Sequence, residues 1–240
     1  MARQSEAVKA KTIKVFVVDD HPIIRQGLAQ LIRQEPDMAY AGEAEDAVEA
    51  LRAIETIRPD IAIIDVSLKS SSGIDLIKDL RIRMPDLPLL VLSMHDESFY
   101  AERVLRAGAR GYIMKEEAAE KVVLAIRKIL AGEICLSDKM AASMLSKLVD
   151  GRSGSAAFPI ERLSDRELEV FELIGHGMGT RQIANKLHLS IKTIESHRAN
   201  LKVKLQAKSA TELLRHAINW VQSEKTAGQD LAKAPAPKKR

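Results

Sequence analysis

The chain has 240 residues, 46% of them hydrophobic and 29% charged, with a formal net charge of +4, the composition of a globular protein long enough for two modest domains. Its single cysteine, Cys135, excludes an internal disulfide, and no Cys/His cluster has structural-zinc spacing. No apolar stretch approaches the roughly 18 residues that a membrane helix needs.

The first 12 residues carry charges but no apolar leader core, so a cytoplasmic location is expected. From Ile13 to Glu133, short apolar runs alternate with amphipathic segments. The runs are IKVFVV, MAYAGE, IAIID, PLLVLS and GYIM, and the helical patterns begin near Pro22, Asp46, Gly73, Glu97 and Ala118. Runs this continuously apolar are buried on both faces, which predicts a parallel sheet with helices on either side. Ligands of such sheets bind beyond the carboxyl ends of the strands, where the strand order reverses.

That rim is where the polar residues fall. Asp19 and Asp20 end the first strand, Asp65 the third, Ser93 the fourth and Lys115 the fifth. With strand order 2-1-3-4-5 they share one crevice. A lone aspartate at a strand end is ordinarily a cap or turn residue; five polar residues on one rim are not explained that way. Three clustered carboxylates repel, and a hard divalent cation relieves the repulsion, so Mg²⁺ is the expected cofactor and a phosphoryl group the expected substrate. Asp65 is then the nucleophile that forms an aspartyl phosphate, with Lys115 neutralising phosphoryl oxygens and Ser93 donating a hydrogen bond.

These residues resemble the receiver domain of two-component response regulators, through VVDDHPIIRQGL, IAIIDVSL, VLSMHDE and AGARGYIMKE over about 13–133. The resemblance implies a flavodoxin-like α/β fold. It also implies that Asp19 and Asp20 hold Mg²⁺ together with Asp65 and the backbone carbonyl of Ser67, and that Ser93 and Tyr112 form a switch pair. Two departures stand out. The family has Met-Pro where this chain has Leu68 and Lys69, and the three serines that follow point to a looser loop. Glu116 stands where many receivers have proline, which leaves the geometry of the Lys115–Glu116 peptide open.

Residues 134–159 read as a linker: SDKMAASMLSKLV is an amphipathic helix capped at Ser137, and DGRSGSAAFP has a connector's composition. Four short helical patterns follow in 160–223. Ser164 with Glu167 and Ser209 with Glu212 have capping-box spacing. The second and third helices, about 180–187 and 191–204, are joined by HLS and share apolar positions Ile183, Ala184, Leu187, Ile194, Leu201 and Leu205, the pattern of a small all-α helix-turn-helix domain. Residues 180–208 carry seven basic side chains and one acidic, against 16 basic and 21 acidic in 13–133. The basic excess falls on the helix pair and points to DNA. Small and basic groups on one face of the third helix suit a major groove. The candidate contacts are Lys192, Thr193, Glu195, Ser196, Arg198, Ala199 and Lys202. The cations Lys192, Arg198, Lys202 and Lys204 are assigned to phosphates, and Glu195, Ser196 and Ala199 to bases. His197 is read as a packing or phosphate-contact residue, and Trp220 as core or dimer contact. Residues 224–240 are Lys-, Ala- and Pro-rich at their end and are expected to form a basic disordered tail.

This second half resembles the DNA-binding domain of the LuxR, NarL and FixJ regulators over about 160–222, through LSDRELEVFELI, QIANKLHLSIKTIESHRANLKVKL and SATELLRHAI. By that resemblance Gln182 to Leu201 is the helix-turn-helix and the last helix, 209–221, is where such domains pair on DNA. The reading of the whole is a DNA-binding response regulator, a switch and not a metabolic enzyme. It is phosphorylated on Asp65 by a sensor histidine kinase and catalyses only its own phosphorylation and dephosphorylation. Promoter DNA and RNA polymerase are further expected partners, with a homodimer forming on phosphorylation or on DNA. The alternative is a phosphorylation-independent, constitutive DNA binder with a receiver fold. A metal-dependent hydrolase is a distant third, because no separate acid or base is visible.

Overall fold

The computed structural model describes residues 12–68, 71–95, 97–149 and 159–230. The chain divides into two compact units. One holds the residues up to His95 and then Arg103–Cys135; the other holds Asp96–Glu102 and the residues from Leu136 on.

The first unit is built on five parallel strands, β1 (Ile13–Val18), β2 (Met38–Ala44), β3 (Ile61–Ile64), β6 (Leu89–Ser93) and β7 (Gly111–Met114), in the order β2-β1-β3-β6-β7. The expected strand order is thus observed. Helices α1 (Pro22–Gln34), α2 (Ala47–Ile57), α3 (Gly73–Arg83) and α5 (Ala118–Leu130) connect or follow them, and α4 (Glu97–Ala107) links β6 to β7. Alternate strand residues Val15, Val17, Ile61, Ile63, Leu90, Leu92 and Ile113 meet Leu28 and Ile32 of α1 and Val122, Ile126 and Ile129 of α5 in one buried cluster. The other strand positions, Phe16, Val18, Ala62, Ile64 and Val91, are buried as well. This two-sided burial is why the strands read as unbroken apolar runs.

Local chemistry sets the helix ends. Pro22 opens α1, where its missing N–H costs nothing. Asp46 caps α2, accepting from the Val48 and Glu49 N–H groups at 2.9 Å each. In the segment expected to be loose after the third strand, β4 (Ser67–Leu68) pairs with β5 (Ser71–Ser72) in a small antiparallel ladder, while Lys69 and Ser70 lie outside the described residues. The returning strand delivers Gly73 against Asp65. No peptide bond among the described residues is cis, so Lys115–Glu116 is trans.

In the second unit, α6 (Asp138–Val149) is followed by α7 (Asp165–Gly175), α8 (Thr180–Lys186), α9 (Ile191–Lys204) and α10 (Ala210–Asp230). Ser164 and Glu167 form the expected capping box on α7. At α10 Ser209 Oγ accepts from the Glu212 N–H, but the Glu212 carboxylate accepts from Lys208 N–H instead of Ser209, one residue off the expected box. Helix α10 also runs to Asp230, past the expected end at 221 and into the expected tail: SEKTAGQD holds no proline, and a docked helix propagates at little cost. Residues 231–240 lie outside the described residues. Trp220 packs on Phe171 with ring centroids 5.4 Å apart, an intra-unit core contact.

Gly73 generates a prediction. A Cβ there would lie 1.8 Å from the Asp65 carbonyl oxygen, a backbone atom that cannot swing aside. Gly73→Ala should therefore destabilise the first unit at or above the upper end of the about 1–3 kcal/mol of an overpacked core. The only tryptophan lies in the second unit, so the loss should show in the far-ultraviolet circular dichroism melt and not in the Trp220 fluorescence melt.

Candidate functional site

Strand register brings the acids together. Val18 lies opposite Ile64 in the β1–β3 ladder, so one further step puts Asp19 beside Asp65, and the Asp65 N–H donates to the Val18 carbonyl at 2.8 Å. Asp19, Asp20, His21 and Asp65 each present a ligand atom within 4.8 Å of the others. Two carboxylates about 4 Å apart repel by about 4 kcal/mol at an effective dielectric near 20, and Asp19 and Asp65 are both buried. Lys115 offsets part of that repulsion. Its Nζ sits 2.7 Å from Asp19 Oδ2 and 2.6 Å from Asp65 Oδ2.

One ammonium does not balance the pocket. Burial alone would lower the Lys115 pKa, but the charges of Asp65 and Asp19 outweigh it and hold the ammonium above its ordinary value. Burial raises the Asp65 carboxyl, and the Asp19 charge adds to the rise; the Lys115 charge and hydrogen bond pull the other way without cancelling it. Asp19 Oδ2 and Asp20 Oδ1 are buried without a hydrogen-bond donor. Lys115 Nζ approaches the first and His21 Nδ1 the second, at 2.7 Å each, without hydrogen-bond alignment. Orphaned carboxylate oxygens converging in this way fit a small hard divalent cation, which takes one or two carboxylates and keeps several waters.

Around this pocket His95 acts as a hub that no sequence motif marks. Its Nε2 lies 2.9 Å from Ser67 Oγ, its N–H donates to Ser93 Oγ at 3.2 Å, and its carbonyl accepts from the Tyr112 hydroxyl at 2.7 Å. Ser93, Tyr112 and His95 are all buried. The Ser67 N–H reaches Asp65 Oδ1 at 3.3 Å. Arg25 is a second residue that sequence reasoning misses. Its Nη1 donates to the Asp19 carbonyl at 2.7 Å while its Nε holds Glu43 at 2.9 Å, and Tyr40 donates to the same carboxylate at 2.5 Å. The Tyr40 hydroxyl bond, ahead of the Arg25 charge, keeps the Glu43 carboxyl low despite partial burial. Arg25 thereby anchors the backbone of the acidic turn. A lone arginine on an amphipathic helix and a lone histidine after a strand give no pattern from which this could be read.

In the second unit, Ile183 and Ala184 of α8 and Ile194 and Leu201 of α9 are buried, as expected of the shared core. Ser190 caps α9 through the Thr193 N–H at 3.0 Å, and the two hydroxyls lie 2.8 Å apart. Lys192, Glu195, Ser196, Ala199 and Val203 are exposed, Val203 at 78%, with Asn200 beside them. They form one stripe at spacings of three and four. Thr193, Arg198 and Lys202 are half-buried on its flanks, and burial lowers the Arg198 guanidinium. His197 is half-buried too; burial and then the Arg166 charge lower its imidazole, which suits the packing role. Lys204, expected among the phosphate-contacting cations, has its ammonium 2.6 Å from the buried Glu167 carboxylate, an ion pair within the unit.

Residues 15–127 match the sequence profile of the response regulator receiver domain, and residues 161–217 that of the bacterial regulatory proteins of the luxR family. The chain belongs to the response regulators of two-component systems, as a receiver joined to a luxR-type DNA-binding domain. It is similar to the oxygen regulatory protein NreC of Staphylococcus epidermidis, at 35% identity over 86% of this chain and 97% of that one. It is also similar to RcsB of Salmonella enterica serovar Typhimurium, whose structure bound to the promoter rprA with phosphomimetic BeF3− aligns at a TM-score of 0.56 and 28% identity, covering 86% of this chain and 98% of that one. A structure of two RcsB dimers bound to two parallel DNAs aligns at 0.51 and 28% identity, covering 85% and 97%. No helix among the described residues is long and apolar enough to cross a membrane.

The Glu167–Lys204 pair sets a pH dependence. Burial would raise the Glu167 carboxyl, but the Lys204 hydrogen bond and the Ser164 cap outweigh it and hold it below the ordinary glutamate value. A depressed carboxyl contributes stability that is present above the unfolded pKa and lost as pH falls through the folded one. Trp220 fluorescence melts should lose stability as pH falls below about 4.5, the ordinary glutamate value. Lys204→Ala should lower the midpoint at neutral pH and flatten that dependence.

Proposed function

We propose that Asp65 is the phosphoacceptor and that a sensor histidine kinase supplies its phosphoryl group. Attack by an Asp65 carboxylate oxygen on the phosphorus of a phosphohistidine forms the O–P bond as the N–P bond breaks. The single observation that carries this reading is the pair of buried carboxylates, Asp19 and Asp65, held on one Lys115 ammonium. Mg²⁺, held by Asp19, Asp20, Asp65 and the Ser67 carbonyl, would neutralise carboxylate and phosphoryl oxygens when bound. Lys115 then serves the transferred group as a point charge. Ser93 exchanges its bond with the His95 N–H for one to a phosphoryl oxygen, and Tyr112, held by the next carbonyl, registers the change. On this reading the chain catalyses only its own phosphorylation and dephosphorylation.

The receiver would span 13–133, the linker 134–159 and the DNA-binding domain 160–223. Within Gln182 to Leu201 and just beyond, Lys192, Arg198 and Lys202 meet phosphates, Thr193 lies at the helix start, and Glu195, Ser196 and Ala199 face bases. Promoter DNA is supported by the RcsB complex with the promoter rprA, and a homodimer on DNA by the RcsB dimers on two parallel DNAs; a homodimer on phosphorylation is the further expectation. RNA polymerase is the third partner and the cytoplasm the location.

Incubation with acetyl phosphate and Mg²⁺, followed by mass measurement, tests the pocket. Asp65→Asn should take up no phosphoryl group, and Asp20→Ala should require far more Mg²⁺ for the same rate. Stoichiometric modification of Asp65→Asn would overturn the assignment, and DNA binding unchanged by a phosphorylated wild type would favour the constitutive alternative.

The exposed stripe of α9 supports a second test. Lys202→Ala should weaken cognate and scrambled duplexes alike and reduce the salt slope by about one. Glu195→Ala should instead change base preference by about 1–3 kcal/mol with little effect on slope. Titrations at several salt concentrations separate the two, and unchanged discrimination by Glu195→Ala would mean that another face of α9 enters the groove.

A further inference from the structure

His21 has no role in the phosphoryl transfer proposed above, yet its ring stands over the acids. Its backbone N–H donates to Asp19 Oδ1 at 2.8 Å, a turn in which an aspartate side chain holds the backbone two residues on. Nδ1 of the same residue then lies 2.7 Å from Asp20 Oδ1 and 3.2 Å from Asp19 Oδ1. With an Asp65 oxygen, these donor atoms all fall within 4.8 Å of one another. Donor atoms about 2.1 Å from a shared ion lie about 3.0 Å apart when adjacent and about 4.2 Å apart when opposite. The two imidazole–carboxylate distances are thus those of neighbours in one coordination shell, and the widest separation is only slightly looser than its diameter.

A second observation separates this arrangement from an ordinary histidine–carboxylate pair. Asp20 Oδ1 is buried and accepts no hydrogen bond, although Nδ1 is close to it. The Asp20 and Asp19 side chains are only 10% and 2% exposed, whereas His21 is 56% exposed, so the imidazole forms the open wall of the pocket over two buried acids. Without a cation, Nδ1 can carry the ring proton and donate it to Asp19 Oδ1. A cation entering between them takes the place of that proton, which moves to Nε2 on the same neutral ring, and Nδ1 then offers its lone pair. His21 makes no capping bond to α1, so the start of that helix does not depend on the ring.

We propose that His21 is a nitrogen ligand of the divalent-cation site, joining the carboxylates of Asp19, Asp20 and Asp65, and that it makes the pocket selective for borderline transition ions such as Co²⁺, Ni²⁺ and Zn²⁺. This rests on the cation reading of the pocket given above. Carboxylates and carbonyls suit Mg²⁺, whereas imidazole suits the later first-row ions, whose affinity for a mixed nitrogen and oxygen site rises along the series to copper. The pocket thus takes Mg²⁺ through its oxygens alone and a transition ion through oxygens and nitrogen together. Which ion loads the site is then set by His21 and by the ions present.

The test is calorimetric titration of the full-length chain with Ni²⁺ and, separately, with Mg²⁺ at one fixed neutral pH, together with the visible absorption of the Co²⁺-loaded protein. His21→Ala should weaken Ni²⁺ at the pocket by at least about tenfold, no less than the loss of a residue that merely orients a ligand, and Mg²⁺ by far less. The Co²⁺ bands of the wild type should shift in His21→Ala as a nitrogen donor is lost. Asp20→Ala should weaken both ions, which places the Ni²⁺ at the pocket and not at one of the other five histidines. Unchanged Ni²⁺ affinity and Co²⁺ spectrum in His21→Ala, with Mg²⁺ still bound, would overturn the nitrogen ligand and leave the cation reading standing. Equal losses for Ni²⁺ and Mg²⁺ would overturn it too, by showing that His21 only shapes the acidic turn. A wild type that binds neither ion would instead sink the cation reading itself.

Discussion

The ammonium of Lys115, 2.7 Å from one buried carboxylate and 2.6 Å from another, is the interaction around which the first unit is arranged. Neither acid tolerates burial beside the other without a cation between them. Keeping all three groups in reach demands that the ends of β1, β3 and β7 fall on one rim, with β6 between β3 and β7 to carry Ser93. The strand order β2-β1-β3-β6-β7 meets that demand. Gly73 meets it from the other side, since only a residue without a Cβ can start α3 against the Asp65 carbonyl. With three carboxylates against one ammonium, the pocket remains two positive charges short for its acids. That deficit is what a divalent cation can offset.

Nothing in such a pocket moves unless a neighbour can exchange partners. His95 supplies those exchanges with one residue: a side-chain bond to Ser67, a backbone donor to Ser93 and a backbone acceptor for Tyr112. A hydroxyl that accepts from an N–H still carries a proton to donate, so under the proposed phosphorylation Ser93 can turn to a phosphoryl oxygen. Arg25 does the opposite on the other side of the pocket, locking the Asp19 carbonyl to Glu43 and Tyr40. One wall of the pocket is fixed and the other can rearrange.

The legible part of this arrangement is whatever has a period or a boundary. Strands buried on both faces announce themselves as runs such as IKVFVV, and a charged or polar residue that ends such a run marks the strand's carboxyl end. Asp19, Asp65, Ser93 and Lys115 can be gathered onto one rim from that signal alone. Helices α8 and α9 are legible for the same reason, from apolar spacing and the polar turn between them. The β4–β5 ladder is not, because serines carry no strand signal and two-residue ladders have no period. Apart from its bond to nearby Ser93, His95 reaches Tyr112 and Ser67 across 17 and 28 residues, and Arg25 reaches Asp19 and Glu43 across 6 and 18, single bonds that follow no sequence period. Lys204 reads as a free cation because a lysine's sequence neighbours do not reveal that Glu167, 37 residues away, already holds it.

Charge sets a final constraint on how phosphorylation reaches DNA. Residues 13–133 carry five more acidic than basic side chains, whereas 180–208 carry six more basic than acidic. Phosphorylation of Asp65 would replace a carboxylate by an acyl phosphate and so add only about one further negative charge to the half that is already negative. Against a polyanion that change is repulsive or, beyond a Debye length of about 8 Å at physiological salt, negligible. It cannot strengthen DNA binding by direct attraction. Any gain in affinity must come from geometry: release of the DNA-binding domain from a restraint, or pairing of two such domains so that two sets of basic residues bind one duplex. Both routes pass through the linker.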